Sequence, residues 1–280
     1  MKIVFVVLHY NEAKVTIDCI SSIIRQKCKS SVNIVIVDNN SPDKSGKILY
    51  EKYVSVNNTI VLLNDFNLGF ALGNNLGYEY ARTKLCADVI ICLNNDIIIE
   101  DDKFVEKLEN SSFLNSHEII GPDIISKIGQ HQNPFMLKLP TKKLVKKTLR
   151  NYKILKLLYS IPFLGSIKGQ IKIKKRPERV YIKHEMENII PHGSFVIYTQ
   201  RWIAKEDFAF FPGTFMYGEE LLLAKYCEKK AYKTIYNPIL VVHHLEDVST
   251  NSKYKDLRKK AVFQLENKIM STQMLLDLYK

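Results

Sequence analysis

Four short apolar runs, each followed at once by polar residues, organise the first hundred positions of the chain. The runs occupy residues 3–8, 32–37, 59–63 and 89–93. Continuous apolar segments of this length, rich in Val and Ile, are typical of strands that are buried on both faces of a parallel sheet. We therefore predict four buried strands in this half of the chain.

The segments between these strands have the apolar spacing of helices. In the first of them the apolar residues are Val15, Ile17, Ile20, Ile23 and Ile24. Asn11 can cap this helix, and Pro42 suits the start of a second helix over about 43–53. A third helix is predicted over 71–84. Strands that alternate with helices in this way predict an α/β fold with a mainly parallel sheet.

The second half of the chain has shorter apolar runs. They predict a helix at 101–108, a strand at 118–121 with a turn at Pro122 and Asp123, a loop and strand within 189–198, a helix from 215–220 to about 230, a strand at 239–242 and a helical tail at 253–280. The tail packs on the body, reaches a membrane or pairs with a second copy of the chain as a homodimer. The pattern leaves these three options open.

Composition narrows the class of protein. Apolar residues make up 46% of the sequence and charged residues 25%, as in soluble globular proteins. The apolar runs all fall short of the ~20 residues that span a bilayer, and the apolar start at 1–8 is too short for a signal peptide. The five cysteines lack the spacing of zinc ligands, which predicts free thiols in a reducing cytosol.

A basic segment interrupts this ordinary composition. Between residues 138 and 176 the chain has thirteen Lys and Arg and no acidic residue, within a net charge of +12. Leucine, isoleucine and tyrosine alternate with these charges, as in segments that lie on an anionic membrane surface. A plain, solvated insertion is the alternative interpretation. Nucleic acid is a weaker option, because no recognised binding module accompanies the charge, and we expect no nucleic-acid partner.

Polar residues follow the predicted strands, where open α/β sheets bind their ligands. The loop after the first strand, residues 9–12, has no glycine, which argues against a dinucleotide-binding Rossmann domain, and the P-loop motif is absent from the sequence. After the fourth strand, Asp96 follows Asn94 and Asn95. One carboxylate with amide oxygens suits a hard divalent cation held mainly by substrate phosphates, although these residues are also ordinary turn formers.

Four ordered motifs together resemble glycosyltransferase family 2. They are His9-Tyr10-Asn11, Val37-Asp38-Asn39, Asn67-Leu68-Gly69-Phe70 with Asn74-Asn75, and Leu93-Asn94-Asn95-Asp96. Members of this family are inverting, nucleotide-sugar-dependent enzymes with a GT-A fold. The likeness is greatest to the bacterial branch of rhamnosyltransferase-like and capsule or O-antigen transferases. It implies a GT-A domain over 1–252, with a nucleotide-sugar half at 1–100, an acceptor half at 101–252 that holds a basic insertion at about 138–177, and a tail at 253–280.

The resemblance also implies a donor site. Its nucleotide-sugar contacts would be His9, Tyr10, Asn11, Asp38, Asn67, Gly69, Phe70, Asn74, Asn94, Asn95 and Gly193. Asp96 and His244 would hold Mn²⁺ or Mg²⁺, with Ser249 nearby and His243 as the competing ligand. Asn94 stands in place of the first acid of the family's Asp-x-Asp motif, which leaves the metal dependence open.

The same resemblance points to a base for the transfer reaction. In the family an acidic pair at a helix start supplies it, so we predict Glu220 as the base, with Glu219 as the alternative or as an acceptor ligand. Two acids in a first helical turn are also favoured by the helix dipole alone, and simple capping remains the competing explanation.

The expected reaction is inverting transfer of a sugar from a UDP or dTDP donor to a glycan or lipid-linked acceptor in bacterial surface polysaccharide synthesis. The expected location is cytoplasmic, peripheral on the inner face of the plasma membrane. Two rival functions stay open. One is a nucleotidyltransferase-like enzyme acting on sugar nucleotides, and the other is a non-catalytic, membrane-binding relative.

Overall fold

The computed structural model describes residues 1–160, 181–245 and 257–280. Part of the basic segment and Ser249 lie outside these ranges. Within them, nine strands form one mixed sheet with the order β3-β2-β1-β4-β8-β6-β9-β5, and β7 pairs with β9. Helices cover both faces, so the predicted α/β class with a mainly parallel sheet is confirmed.

The first hundred residues form the parallel part of the sheet. Its strands are β1 (Lys2–His9), β2 (Ser31–Asp38), β3 (Thr59–Leu63) and β4 (Val89–Asn94), and its helices are α1 (Ala13–Ile24), α2 (Ser45–Tyr53) and α3 (Gly69–Thr83). All three strand pairings here are parallel, with His9 opposite Asp38 and Leu8 opposite Asn94. The polar ends of the strands therefore meet at one edge of the sheet.

The remaining elements extend this sheet and cover it. They are β5 (Ile97–Ile98), α4 (Phe104–Glu109), a 3₁₀ turn (Ser112–Asn115), β6 (Ile119–Ser126), α5 (Lys142–Ser160), β7 (Met186–Glu187), β8 (Phe195–Tyr198), α6 (Gln200–Ile203), α7 (Glu219–Lys230), β9 (Thr234–His244) and α8 (Leu257–Asp277). β8 is antiparallel to β4 and β6, whereas β6 and β9 are parallel.

Several predicted boundaries need correction. β6 continues through Pro122 and Asp123 with a shift of register between them, because a β-bulge absorbs the proline that predicted a turn. Asn11 does not cap α1, since Glu12 occupies the cap position in a left-handed conformation. Pro42 lies in the turn before α2 and not in its first turn.

Helices α5 and α8 pack against each other and α8 also packs against α7, over a small apolar cluster around Val145, Leu222 and Leu275. The predicted helical tail is thus confirmed as a helix, and it packs on the body of the protein. Of the described helices, none combines the length and the apolar character needed to cross a membrane.

Candidate active site

A cavity of about 230 Å³ opens at the carboxyl ends of the parallel strands, and we call it the strand-end cavity. It is lined by Leu8, Tyr10, Asn39, Asn67, Gly69, Phe70, Asn94, Asn95, Asp96, Phe215, Met216, Tyr217, Lys260, Phe263 and Gln264. Seven of the residues predicted to bind a nucleotide sugar or a metal lie around it. Helix α8 and the segment before α7 supply the opposite wall.

Asn39 holds the loops of this cavity together. Its Nδ2 donates to Asn67 Oδ1 at 3.1 Å and to the Gly69 carbonyl at 2.9 Å, and its Oδ1 accepts from the Leu68 amide at 2.9 Å. Gly69 has a φ of +78°, and a Cβ there would lie 2.3 Å from the Phe215 carbonyl oxygen. This position therefore requires glycine, both for its backbone angle and for the close approach of the two chain segments.

Strand alternation divides the predicted residues between two faces. Leu8 and Tyr10 line the strand-end cavity, so His9 between them points to the other face of the sheet. There His9 is fully buried, with Nδ1 2.6 Å from Thr16 Oγ1 and Nε2 2.7 Å from Ser45 Oγ. Burial lowers the pKa of His9 to about 4, so the ring is neutral near pH 7.

His9 also supports the loop that carries Asp96, indirectly. Thr16 Oγ1, which contacts His9, accepts a 2.9 Å hydrogen bond from Asn95 Nδ2. This chain of contacts connects the end of β1 with the residue that precedes Asp96. His9 is consequently a buried support for the cavity, and its side chain does not line the cavity.

Three more of the predicted contacts do not line the strand-end cavity. Asp38 accepts hydrogen bonds from the backbone and hydroxyl of Ser41, and burial raises its pKa. Asn74 is 1% exposed and donates to the Phe70 carbonyl at 2.9 Å. Asn11 bonds through its backbone amide to Ser41 Oγ. Together with His9, these residues do not line the strand-end cavity, and their contact with a donor stays a prediction.

Asp96 and His244 meet at the rim of the strand-end cavity. Asp96 Oδ1 lies 3.3 Å from His244 Nε2, and the Leu245 amide donates to the Asp96 carbonyl at 2.9 Å. The antiparallel pairing of β5 with β9 brings them together, since Ile97 lies opposite His244. His243 points the other way, with Nε2 3.4 Å from Glu100.

The chemistry of this pair fits a divalent cation. Asp96 Oδ1 is a buried oxygen that has no hydrogen-bond partner among the residues the structure describes, and it faces an imidazole nitrogen. A carboxylate and an imidazole are suitable ligands for Mn²⁺ or Mg²⁺ when phosphate oxygens and water complete the shell. The described residues contain no group of three or more His, Cys, Asp or Glu that could hold a metal by itself. The fit therefore depends on oxygens that a substrate would supply.

A second, larger cavity of about 470 Å³ adjoins the first, and we call it the helical cavity. The two share Phe70, Asn94, Met216 and Tyr217. Its other lining residues are Phe135, Met136, Pro140, Leu144, Val145, Thr148, Tyr152, His192, Gly193, Ser194, Gly218, Glu219, Glu220, Leu221, Lys268, Ser271, Thr272 and Leu275. Apolar side chains of α5 thus face the acidic start of α7 across this space.

The two glutamates at the start of α7 differ in environment. Glu219 is 5% exposed, and burial together with the charge of Glu220 raises its pKa to about 7. Glu220 approaches Gly193 so closely that a Cβ there would lie 3.3 Å from Glu220 Oε1 and 3.6 Å from Phe70 Cζ. Glycine at 193 therefore makes room for Glu220 beside the junction of the two cavities.

The family model of glycosyl transferase family 2 matches residues 4–162, more than half of the 280-residue chain. The chain belongs to glycosyl transferase family 2. The model covers the parallel strands and the loops that line the strand-end cavity. No curated protein matches the chain.

Solved structures similar to this member of glycosyl transferase family 2 include those of S. aureus TarS. TarS 1–349 matches with a TM-score of 0.55 and 15% identity over 88% of this chain and 60% of that one. Its complex with UDP-GlcNAc matches with a TM-score of 0.54 and 18% identity over 91% of this chain and 62% of that one. Its complex with UDP matches with a TM-score of 0.55 and 14% identity over 96% of this chain and 64% of that one. The chain thus spans about three fifths of these structures, and the likeness confirms a GT-A-like fold.

Sequence reasoning missed several residues of this family 2 site. Asn39 directly follows Asp38, and the alternation of side chains along β2 was the signal that could have identified it. Phe215, Tyr217, Lys260 and Phe263 come from segments far along the chain, and no local motif marks them. Their place in the site follows from the packing of α7 and α8.

Proposed function

We propose that the protein is an inverting glycosyltransferase that moves a sugar from a UDP- or dTDP-type donor to a hydroxyl group of a glycan or lipid-linked acceptor. The observation that carries this proposal is the meeting of two cavities, one with Asp96 at its rim and the other with Glu220. Inversion needs the base and the departing diphosphate on opposite sides of the anomeric carbon. Two adjoining cavities with separate acidic groups suit that requirement.

In our proposal the strand-end cavity takes the donor. Tyr10 offers an aromatic face for the nucleoside base, and Asn67 and Asn94 offer amide groups to the ribose and phosphates. Asp96 and His244 would hold Mn²⁺ or Mg²⁺, which stabilises the negative charge of the departing diphosphate when it is bound. The TarS complexes with UDP-GlcNAc and UDP support a nucleotide-sugar donor for this fold.

Glu220 would accept the proton of the acceptor hydroxyl as that oxygen attacks the anomeric carbon. The new bond joins the acceptor oxygen to this carbon, and the bond from the carbon to the diphosphate oxygen breaks with its electron pair leaving on the nucleoside diphosphate. Glu219, with a pKa near 7, can remain protonated beside Glu220 and donate a hydrogen bond to the acceptor.

The helical cavity would take the acceptor, and α5 would lie on an anionic membrane surface. On the outward face of α5, Ile154, Leu157 and Leu158 are exposed among lysines. Apolar side chains interleaved with basic ones favour the interface of an anionic bilayer. This arrangement supports peripheral membrane binding and a lipid-linked acceptor. The cytoplasmic face and a role in capsule, O-antigen or a similar surface glycan belong to the proposal through the family resemblance.

The test is product analysis with a panel of UDP and dTDP sugars, Mn²⁺ and lipid-linked acceptors extracted from bacterial membranes. We expect sugar transfer with release of a nucleoside diphosphate and an inverted anomeric configuration. Release of pyrophosphate would identify a nucleotidyltransferase instead. Binding of nucleotide without turnover on any acceptor would identify a non-catalytic relative.

A further inference from the structure

We infer that Gln132 is a positioning residue for the metal-binding histidine: it fixes the tautomer and ring orientation of His244 so that Nε2 faces Asp96. The inference rests on the metal site proposed above. Gln132 Oε1 lies 2.7 Å from His244 Nδ1. An amide oxygen only accepts hydrogen bonds, so Nδ1 carries a proton in this contact, and Nε2 is the ring nitrogen directed at Asp96. A cation between His244 and Asp96 would bind at this nitrogen.

The loop that carries Gln132 is built to hold this side chain in place. The backbone amide of Gln132 donates to the backbone carbonyl of Ile124 at 2.7 Å, and the backbone amide of Ser126 donates to the backbone carbonyl of Gln130 at 2.8 Å. The Lys127 amide donates to the His244 carbonyl at 3.1 Å. The loop after β6 is therefore hydrogen-bonded both to its own strand and to the residue that Gln132 orients.

A contact between a histidine and a buried aspartate anchors the same loop. His131 Nδ1 lies 2.9 Å from both carboxylate oxygens of Asp123, and Asp123 is 1% exposed. The His131 ring also stacks on Tyr181, with centroids 4.3 Å apart. These contacts place Gln132 on a fixed support. A hydrogen-bond acceptor on such a support restricts the rotation of the histidine ring that it contacts.

The neighbouring histidine does not compete for this role. The rings of His192 and His244 are 5.9 Å apart, and His192 Nδ1 contacts Ser194 Oγ at 2.9 Å. Gln132 is thus the side chain that contacts His244 Nδ1. Its loop also offers a matched control, because Gln130 is exposed two positions away.

The first test needs no metal. Long-range ¹⁵N–¹H NMR of the full chain labelled at histidine reports which ring nitrogen of His244 is protonated, with His244→Asn to assign the signals. We expect protonated Nδ1 in the wild type, Gln132→Glu and Gln130→Ala. In Gln132→Leu we expect a mixture with protonated Nε2. A tautomer that is unchanged in Gln132→Leu would overturn the inference.

The second test measures Mn²⁺ binding in the presence of UDP, from the paramagnetic resonance signal of the free ion and with a blank of UDP without protein. We expect Gln132→Leu to lose about 10- to 100-fold in Mn²⁺ affinity and Gln132→Glu to retain it. Gln130→Ala should match the wild type. Equal affinity in Gln132→Leu and the wild type would contradict the role of Gln132. A wild type that binds no Mn²⁺ while His244 has the expected tautomer would instead reject the proposed metal site.

Discussion

The two cavities of the site share lining residues, but different kinds of structural element surround them. The strand-end cavity lies among loops that follow parallel strands, and buried hydrogen bonds from Asn39 hold these loops together. The helical cavity lies between α5, α7 and α8, and much of its wall is apolar. A rigid polar frame suits recognition of a donor with many polar groups. A space between helices with exposed apolar neighbours suits an amphiphilic acceptor.

This comparison predicts that substitutions in the two cavities change different properties of the protein. Replacing Glu220 should give the largest effect, which is on turnover. Glu220→Gln removes the proposed base, and we expect turnover to fall about 10²- to 10⁴-fold with donor affinity unchanged. Glu219→Gln retains a hydrogen-bond donor and should lower turnover less than tenfold. Release of nucleoside diphosphate under saturating donor measures both. The reverse order would make Glu219 the base.

His9 and Tyr10 are adjacent at the end of β1, and we expect different effects from replacing them. His9 supports the fold, whereas Tyr10 is proposed to contact the nucleotide. His9→Ala removes a buried ring that contacts Thr16 and Ser45, and we expect a loss of about 2–4 kcal/mol in the free energy of unfolding. Tyr10→Ala should leave stability within about 1 kcal/mol and weaken nucleotide binding about 10-fold or more, because a stacking face is lost. Urea denaturation and calorimetry of both variants check this. Normal stability of His9→Ala would contradict the bracing role.

The buried carboxyl of Glu219 predicts a dependence of stability on pH. Its folded-state pKa of about 7 lies above the ordinary value of 4.5, so between these pH values the unfolded chain loses the proton first and the native state loses stability as pH rises. Glu219→Gln removes this dependence. Relative to the wild type, the variant should gain about 1–3 kcal/mol between pH 4.5 and pH 8. Urea denaturation at both pH values measures it, and a constant difference would show that the carboxyl is not destabilised by burial.

The smallest expected effects concern the outward face of α5. Each lysine near an anionic bilayer contributes about 1 kcal/mol, so Lys146→Gln and Lys147→Gln should each weaken binding to phosphatidylglycerol vesicles about fivefold. Lys47→Gln on α2 is the control, since Lys47 is exposed on a different part of the molecule. Vesicle sedimentation gives the affinities. If all three variants bind equally, α5 is not the membrane-facing surface.

Local patterns were sufficient to predict the parallel half of the sheet. The four parallel strands and the cluster of Tyr10, Asn67 and Asp96 follow from apolar runs with polar ends, because chain direction alone brings such ends to one edge of a sheet. It was harder to predict to which face of the sheet each side chain points. His9 and Asp38 are opposite each other in the register and both point away from the strand-end cavity, a distinction that depends on the parity of the strands.

The rest of the site depends on contacts between distant parts of the chain. Gln132 and His244 are 112 residues apart, and no spacing rule connects them. Helix α8 reaches both cavities only because it packs on α5 and α7. The bulge that carries β6 past Pro122 is likewise a result of pairing with β9. Long-range packing decides these features, and a local pattern contains little information about it.

The most direct test of the central claim is calorimetric titration of UDP, dTDP and GDP, with and without Mn²⁺, into the wild type and Asp96→Ala. We predict that Mn²⁺ strengthens the binding of one of these nucleotides and that Asp96→Ala abolishes the metal effect while the chain stays folded. Binding of none of the three would contradict the assignment of the strand-end cavity to the donor. Equal Mn²⁺ dependence in the wild type and Asp96→Ala would contradict the role of Asp96 as a metal ligand.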